Sequence, residues 1–252
     1  MLPEDLQFLE IRICDNLRSL CDVPSFKHTS KLQCIRVHES KGIEHVLSFS
    51  SSCTLPLLQT LEKLELVCLD NLRILFKKGK AALAWVPSDT FSCLKIIHLF
   101  LCSKIKKLLP LGLLLHLRNL EQIRVEFCKQ VEEIIGEASD KEKEEEGMDT
   151  TKITLPKLRV LHLWDLSELK TICSSNKVII SDSLDEIQIL NCPKLKRLPL
   201  SLPLLSNGQL SPPPSFQHIL AIDRGIFLEN NNKTQTISLV RKRFKLFWFL
   251  TI

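Results

Sequence analysis

The chain has 252 residues, a formal net charge of +5 and a hydrophobic content of 44%. That composition can bury a sizeable core, but the longest apolar runs, 108–115 and 244–252, are far shorter than the ~20 residues that a membrane-spanning helix needs. The first residues lack the basic start and apolar run of a secretory signal peptide. We therefore expect an intracellular, cytoplasmic protein.

One spacing of apolar residues recurs seven times. The apolar positions lie at offsets 0, 3, 5, 8, 11 and 14 within each copy, and the copies begin at Leu6, Leu32, Leu61, Leu94, Leu120, Leu158 and Leu184. With Cys counted as apolar, 41 of the 42 positions fit, with Ser40 the exception, against roughly 18 expected by chance. Copies begin 26 to 38 residues apart, which is typical of a leucine-rich-repeat solenoid with insertions.

This spacing predicts an α/β solenoid, a curved right-handed superhelix. Offsets 3 and 5 alternate as in a short strand with one buried face. Stacked repeats would pair these strands into a parallel sheet on the concave side, and the chain would return over the convex side in irregular or short helical segments. A Pro followed by Leu-rich sequence predicts one such short helix over 110–119.

We predict three regions: a repeat domain over 1–200 with about seven repeats, a Pro-rich linker over 201–215, and an atypical, disordered tail over 216–252. Residues 137–150 carry seven acidic and two basic side chains. The simplest interpretation is a solvated loop, and the alternative is an electrostatic contact with a neighbouring domain. The basic, aromatic tail either touches an anionic membrane surface or carries no selected structure, and we favour the second.

The ten cysteines predict neither disulfides nor a metal site, because none of them has the clustered spacing that a zinc site or disulfide framework needs. Cys14, Cys102, Cys128 and Cys192 share offset 8 in different repeats. We expect a ladder of small, buried, free thiols, which fits a reducing compartment.

The outward-facing positions of a concave sheet, offsets 2, 4, 6 and 7, are candidates for partner binding. In repeats four to six they combine aromatic, His and Arg side chains, the types that dominate protein–protein hot spots. The alternative is that the aromatics pack under the acidic loop or against another domain. The predicted partner-binding residues, which also include one from repeat two, are Arg36, His98, Phe100, Leu101, Arg124, Phe127, His162 and Trp164.

Catalysis and nucleic-acid binding find little support in the sequence. The chain has no nucleophile-elbow, zinc-protease or phosphate-loop motif, so we predict no enzyme activity and no cofactor. The basic residues alternate with acidic ones and no nucleic-acid-binding motif is present. We predict a protein partner, with neither nucleic acid nor membrane.

Several segments resemble plant intracellular disease-resistance proteins of the coiled-coil, nucleotide-binding, leucine-rich-repeat class. They are 91–110, 117–135, 155–163 (LPKLRVLHL) and 191–199 (NCPKLKRLP), and the resemblance covers roughly residues 5 to 215. In that family the repeat region restrains a nucleotide-binding switch and senses pathogen effectors, directly or through a guarded host protein. The resemblance therefore implies a recognition module whose partner is an effector, a guarded protein or the switch of its own receptor.

The sequence departs from that family in two ways. It has no P-loop, so we expect no nucleotide switch, and we expect the first repeat to lack a preceding cap. Both expectations suggest a fragment, a truncated gene product or one half of an assembly. Residues 216–252 also differ from the acidic, Trp-containing ending of the family. A stand-alone scaffold or adaptor, for example in a ubiquitin ligase, is the alternative function.

Overall fold

The structure is a computed structural model that describes most of the repeat region and short segments beyond it. The described residues are 2–23, 26, 28–49, 57–78, 89–136, 152–173, 178–181, 183–195, 197–198, 200–201, 218–222, 227–230 and 233–236. The acidic run 137–150, nearly all of the predicted linker and much of the predicted tail lie outside them, so our expectations for those segments stay predictions.

The described part of the chain is built mainly from short strands. The strands are β1 (Phe8–Arg12), β2 (Cys34–His38), β3 (His45–Phe49), β4 (Lys63–Val67), β5 (Ile74–Lys78), β6 (Ile96–Phe100), β7 (Lys107–Pro110), β8 (Gln122–Glu126), β9 (Glu133–Gly136), β10 (Lys152–Thr154), β11 (Val160–Trp164), β12 (Thr171–Cys173), β13 (Val178–Ile180), β14 (Glu186–Leu190), β15 (Arg197–Leu198), β16 (Leu200–Ser201), β17 (His218–Ile222), β18 (Phe227–Asn230) and β19 (Lys233–Thr236). One α-helical turn, α1 (Leu57–Thr60), and the 3₁₀ turns Leu20–Asp22 and Leu111–His116 complete the elements of defined length.

Eight strands form one parallel sheet in the order β1-β2-β4-β6-β8-β11-β14-β17. They pair in strict register, so that offset 3 of each repeat lies beside offset 3 of the next, as Ile97 does beside Ile123. This arrangement confirms the predicted leucine-rich-repeat solenoid. The sheet also contains a strand that the sequence pattern did not predict, because β17 adds to β14 with Ile219 beside Ile187.

The return segments carry further short strands rather than irregular chain. Parallel pairs or triplets form between β3 and β5, among β7, β9 and β12, and among β10, β13 and β16. The helix predicted over 110–119 is present as the 3₁₀ segment Leu111–His116, with Pro110 as its N-cap. Pro110 has the extended backbone of an N-cap residue, with φ −71° and ψ 140°.

The core is a continuous column formed by the recurring apolar offsets. In repeats two to six, every residue at offsets 0, 3, 5, 8, 11 and 14 is no more than 1% exposed. Repeat one differs, because Leu6, Leu9 and Ile11 are only partly buried. A hollow of about 550 Å³, lined in part by Leu9 and Ile11, lies at this end of the column.

The residue at offset 7 is left-handed in all seven repeats, with φ between 49° and 56°. These residues are Ile13, Glu39, Cys68, Leu101, Phe127, Asp165 and Asn191. In six of them the backbone N–H donates to the offset-6 carbonyl of the next repeat at 2.9–3.1 Å, as Phe127 does to Trp164. Non-glycine residues rarely adopt this conformation, so the hydrogen bond between repeats holds a strained turn at the end of each concave strand.

The residue at offset 8 caps backbone groups between neighbouring repeats. The Cys102 N–H donates to Cys128 Sγ at 3.4 Å, and the Cys14 N–H donates to Ser40 Oγ at 3.1 Å. Ser40 is fully buried and also donates to the His38 carbonyl, so the one polar exception to the repeat pattern performs the same role as a cysteine.

The predicted thiol ladder is correct for three of its four members. Cys102, Cys128 and Cys192 are buried, whereas Cys14 is exposed. The prediction was wrong for Cys14 because, in the described structure, no further repeat packs on the outer side of repeat one. Burial raises the pKa of Cys192 to about 11, as expected for a thiol that is kept protonated in the core.

Candidate functional site

The concave sheet brings seven of the eight predicted partner-binding residues together, on the adjacent strands β6, β8 and β11 and in the turns that follow β6 and β8. In-register pairing places His98, Arg124 and His162 in one row across the sheet. Arg36 lies apart from them on β2, with β4 between it and β6. We call these three strands and the turns that follow them the concave patch, defined by His98, Phe100, Leu101, Arg124, Phe127, His162 and Trp164.

Aromatic and aliphatic side chains occupy the end of the patch where the strands finish. Phe100 and Phe127 meet edge to face, with ring centroids 5.3 Å apart. Trp164 stacks on His162 at 5.7 Å, with their planes only 10° apart. Leu101 is 39% exposed and extends this apolar rim. The left-handed turns after β6 and β8 therefore place Leu101 and Phe127 beside the strand residues Phe100 and Trp164.

The expectation that all these positions face outward freely was wrong for His162, which is only 8% exposed. Two physical causes combine. A concave sheet crowds the side chains of neighbouring strands, and the indole of Trp164 covers one face of the imidazole. Burial lowers the pKa of His162, although Glu186 at 3.3 Å opposes that effect.

Arg36 is held in an ion-pair cluster rather than in the patch. Its Nε and Nη2 atoms both donate to Glu65 Oε2, at 3.1 and 3.0 Å. Lys63 Nζ lies 2.8 Å from the same carboxylate oxygen. Burial alone would raise the pKa of Glu65, but the hydrogen bonds from Lys63 and Arg36 outweigh it and lower the pKa overall.

His98 lies between two carboxylates on neighbouring strands. Its Nδ1 is 3.8 Å from Glu65 and its Nε2 is 3.7 Å from Glu126. Burial nevertheless lowers the pKa of His98, and the positive charge of Arg124 adds to that effect. The ring is therefore neutral at pH 7. The carboxyl of Glu126 responds in the opposite sense, since burial raises its pKa.

The patch contains most of the buried polar atoms that lack a hydrogen-bond partner among the described residues. They are His98 Nε2, Arg124 Nε, His162 Nε2 and Trp164 Nε1, with His38 Nε2 as the one such atom elsewhere. Leaving a buried polar group without a partner costs about 1–3 kcal/mol. His162 Nε2 lies 3.3 Å from Glu186 and His98 Nε2 lies 3.7 Å from Glu126, so Arg124 Nε and Trp164 Nε1 are the two of these atoms with no ion-pair or hydrogen-bond partner among the described residues. Such buried donors are uncommon in proteins.

The sequence-based site omitted two residues that shape the patch. Glu65 connects Arg36 to His98, and Glu126 lies between Phe100 and Trp164 in the offset-6 row. Their offsets had already placed them on the concave face. Their residue type gave no signal, because Glu is depleted at the cores of protein–protein interfaces.

Within the described residues, no group of three or more His, Cys, Asp or Glu side chains is arranged to hold a metal ion. In the same part of the chain, no helix has the length and apolar character needed to cross a membrane.

Comparison with known proteins agrees with the fold and with the resemblance. Residues 83–203 match the family described as plant disease resistance protein RPS2-like, leucine-rich repeats. The chain is 30% identical over 195 residues to disease resistance protein RPS5 of Arabidopsis thaliana, covering 77% of this chain and 21% of that protein. It is 26% identical over 205 residues to the probable disease resistance protein At4g27220 of the same plant, covering 79% of this chain and 20% of the relative.

The chain thus spans about one fifth of the length of these relatives. No solved structure matches it significantly. The eight-stranded concave sheet, its buried repeat positions and these matches identify the chain as a leucine-rich-repeat region of the plant disease resistance protein type.

Proposed function

We propose that this chain is the protein-recognition module of a plant immune receptor, acting in the cytoplasm, and that its concave patch senses a pathogen effector or a guarded host protein. The observation that carries the proposal is the concave patch itself. An apolar, aromatic rim adjoins two buried donors, Arg124 Nε and Trp164 Nε1, that lack hydrogen-bond partners among the described residues, and a protein ligand could satisfy these atoms while covering the rim.

The module acts by binding and not by catalysis. A nucleophilic cysteine needs an accessible, readily ionised thiol. Burial instead raises the pKa of the half-buried Cys34 and Cys68. Cys128 has a lowered pKa because it accepts a hydrogen bond from the Cys102 thiol, but both residues are buried in the core.

Recovery of partners from plant tissue by affinity purification and quantitative mass spectrometry tests the proposal. The full chain is compared with the Trp164→Ala and Phe127→Ala variants and with Leu115→Ala, a control residue that is 69% exposed in the 3₁₀ segment outside the concave sheet. We expect at least one protein to be retained by wild type and by Leu115→Ala and to fall about tenfold or more with both patch variants.

The same set of partners on all four proteins would contradict the proposal. If those shared partners were ubiquitin-ligase components, the alternative function as a scaffold or adaptor would be favoured. Circular dichroism of each variant establishes that the comparison is made between folded proteins.

A further inference from the structure

The charges along offset 4 of the concave sheet alternate only through the first half of the described row. In order, the row reads Glu10, Arg36, Glu65, His98, Arg124, His162 and Gln188. Because the strands are in register, each of these residues lies directly beside its neighbours in the row and can form an ion pair with one of opposite charge. After Glu65 the row contains no acidic residue, and Arg124 is therefore flanked by two histidines.

The contacts of Arg124 differ from those of the other arginines on this face. Arg36 makes two hydrogen bonds to Glu65, and Arg12 makes two to Glu10. Among the described residues, no carboxylate lies within ion-pairing distance of Arg124, and its Nε is buried without a hydrogen-bond partner. The nearby Glu126, two residues along β8, senses the positive charge of Arg124 but forms no ion pair with it.

The chemistry of the unpartnered atoms indicates what is missing. The Nε–H of arginine and the indole N–H of tryptophan can only donate, and a guanidinium carries five donors in a planar fork that matches a carboxylate. Trp164 Nε1 also lacks a partner and lies in the patch with Arg124. His98 and His162, on either side, are held neutral by burial, so each ring can donate through one nitrogen. The carboxylates of Glu126 and Glu186 lie near the two histidines, so the donors left without a partner among the described residues are Arg124 Nε and Trp164 Nε1.

Apolar groups adjoin this donor-rich centre on one side. Phe100 and Trp164 occupy the offset-6 row on the strands flanking Arg124, and Phe127 follows at the end of its own strand. A ligand that brings a carboxylate to Arg124 would thus place its neighbouring residues against aromatic side chains. Desolvation by this rim would strengthen a charge-assisted hydrogen bond at the centre.

We propose that Arg124 is the anchor for a carboxylate of the protein partner, presented by a segment in which an Asp or Glu adjoins a large apolar residue. The apolar residue packs on the rim formed by Phe100, Phe127 and Trp164. This proposal rests on the proposed recognition function and specifies the chemistry of the partner.

A random peptide library displayed on phage, selected on the full chain, tests the proposal without requiring the natural partner. We expect the enriched peptides to contain an acidic residue next to an aromatic or large aliphatic one. Binding of such a peptide should weaken about tenfold or more with Arg124→Gln, and similarly when its own Glu is changed to Gln. The two losses should not add, because both changes remove the same contact.

Arg12→Gln is the matched control, since Arg12 lies on the same sheet but is exposed and already paired with Glu10. Arg124→Lys retains the charge and removes the planar fork, so its binding should fall between wild type and Arg124→Gln. Enriched peptides without acidic residues, or equal binding to wild type and Arg124→Gln, would overturn the anchor.

The outcomes also separate the two proposals. If Trp164→Ala and Phe127→Ala abolish peptide binding while Arg124→Gln does not, the concave patch is still a recognition surface and only the anchor is rejected. If peptides bind wild type and all these variants equally, both the anchor and the recognition surface are rejected.

Discussion

Replacement of Gly42 by alanine should loosen the junction between repeats one and two. Gly42 lies in the turn that follows β2, directly beside the corresponding turn of repeat one. A Cβ at this position would lie 2.0 Å from the Asp15 carbonyl oxygen and 2.8 Å from that of Leu17. Non-bonded heavy atoms are most stable near ~3.5 Å, so the Asp15 backbone would have to move by roughly 1.5 Å.

The expected cost follows from what must move. Both colliding atoms belong to the backbone, which cannot rotate away as a side chain can. Asp15 also accepts a hydrogen bond from the Lys41 N–H at 2.9 Å, and this contact would be strained by the same displacement. Overpacking of this kind costs about 1–3 kcal/mol of unfolding free energy. For a chain of this size, each kcal/mol lowers the melting temperature by about 2–4 °C.

Gly136→Ala is the matched control for this change. There the added Cβ would meet the Glu133 carboxylate at 2.1 Å, but that group ends a flexible side chain and can turn aside. Urea unfolding followed by circular dichroism should therefore show a clear loss for Gly42→Ala and a small one for Gly136→Ala. Hydrogen exchange should be faster at the Ile13 amide, which bonds to His38, and unchanged at the Phe127 amide. Equal stability of the two variants would refute the reasoning.

Two further predictions concern the left-handed turns and the buried histidines. Cys68→Asn should raise the free energy of unfolding by roughly 0.5–1 kcal/mol, because Cys68 has a φ of 54° and asparagine tolerates that conformation better; lower stability in urea would contradict this. Burial lowers the pKa of His98 and His162 in the folded state, so the unfolded chain takes up protons first as the pH falls. Stability should therefore decline between about pH 7.5 and pH 6, and a His98→Gln/His162→Gln variant that declines as steeply as wild type would exclude these residues as the cause.

The concave sheet and the core could be predicted because they depend on one spacing. Leu99 and Val125 are fully buried and pair in register, as their offsets require. The short strands of the return segments could not be predicted, since two to five residues without alternating burial resemble a loop in sequence. The strand β17 was not predicted because its segment follows the repeat spacing only in part. Ile219 and Ala221 occupy offsets 3 and 5, but the charged residue Arg224 stands at offset 8, where the other repeats have a small or apolar residue.

The left-handed turns could not be predicted from the types of residue at offset 7. Asp165 and Asn191 are ordinary choices for a positive φ, whereas Leu101 and Phe127 are not. The conformation is imposed by a hydrogen bond to the next repeat, which local sequence does not contain. The placement of the candidate residues on one face was predicted more completely, because offsets 4 and 6 determine which side chains share the concave sheet. The ion pairing could not be predicted. Arg36 is hydrogen-bonded to Glu65, whereas the Nε of Arg124 has no hydrogen-bond partner among the described residues.

Different positions within each repeat hold the fold together and form the concave surface, so the proposed recognition surface can vary without loss of stability. In repeats two to seven, offsets 3, 5 and 8 are buried, and in repeats one to six the backbone N–H at offset 7 bonds to the next repeat, so the positions of the strands do not depend on the residues at offsets 4 and 6. An acidic residue in place of His98 or His162 would have continued the alternation of charge and paired Arg124 within the sheet. The described chain instead leaves Arg124 and Trp164 with unpartnered donors, at a cost of about 1–3 kcal/mol each. A fold that buries about thirty repeat positions can tolerate that cost, and acceptor groups of the proposed partner would recover it.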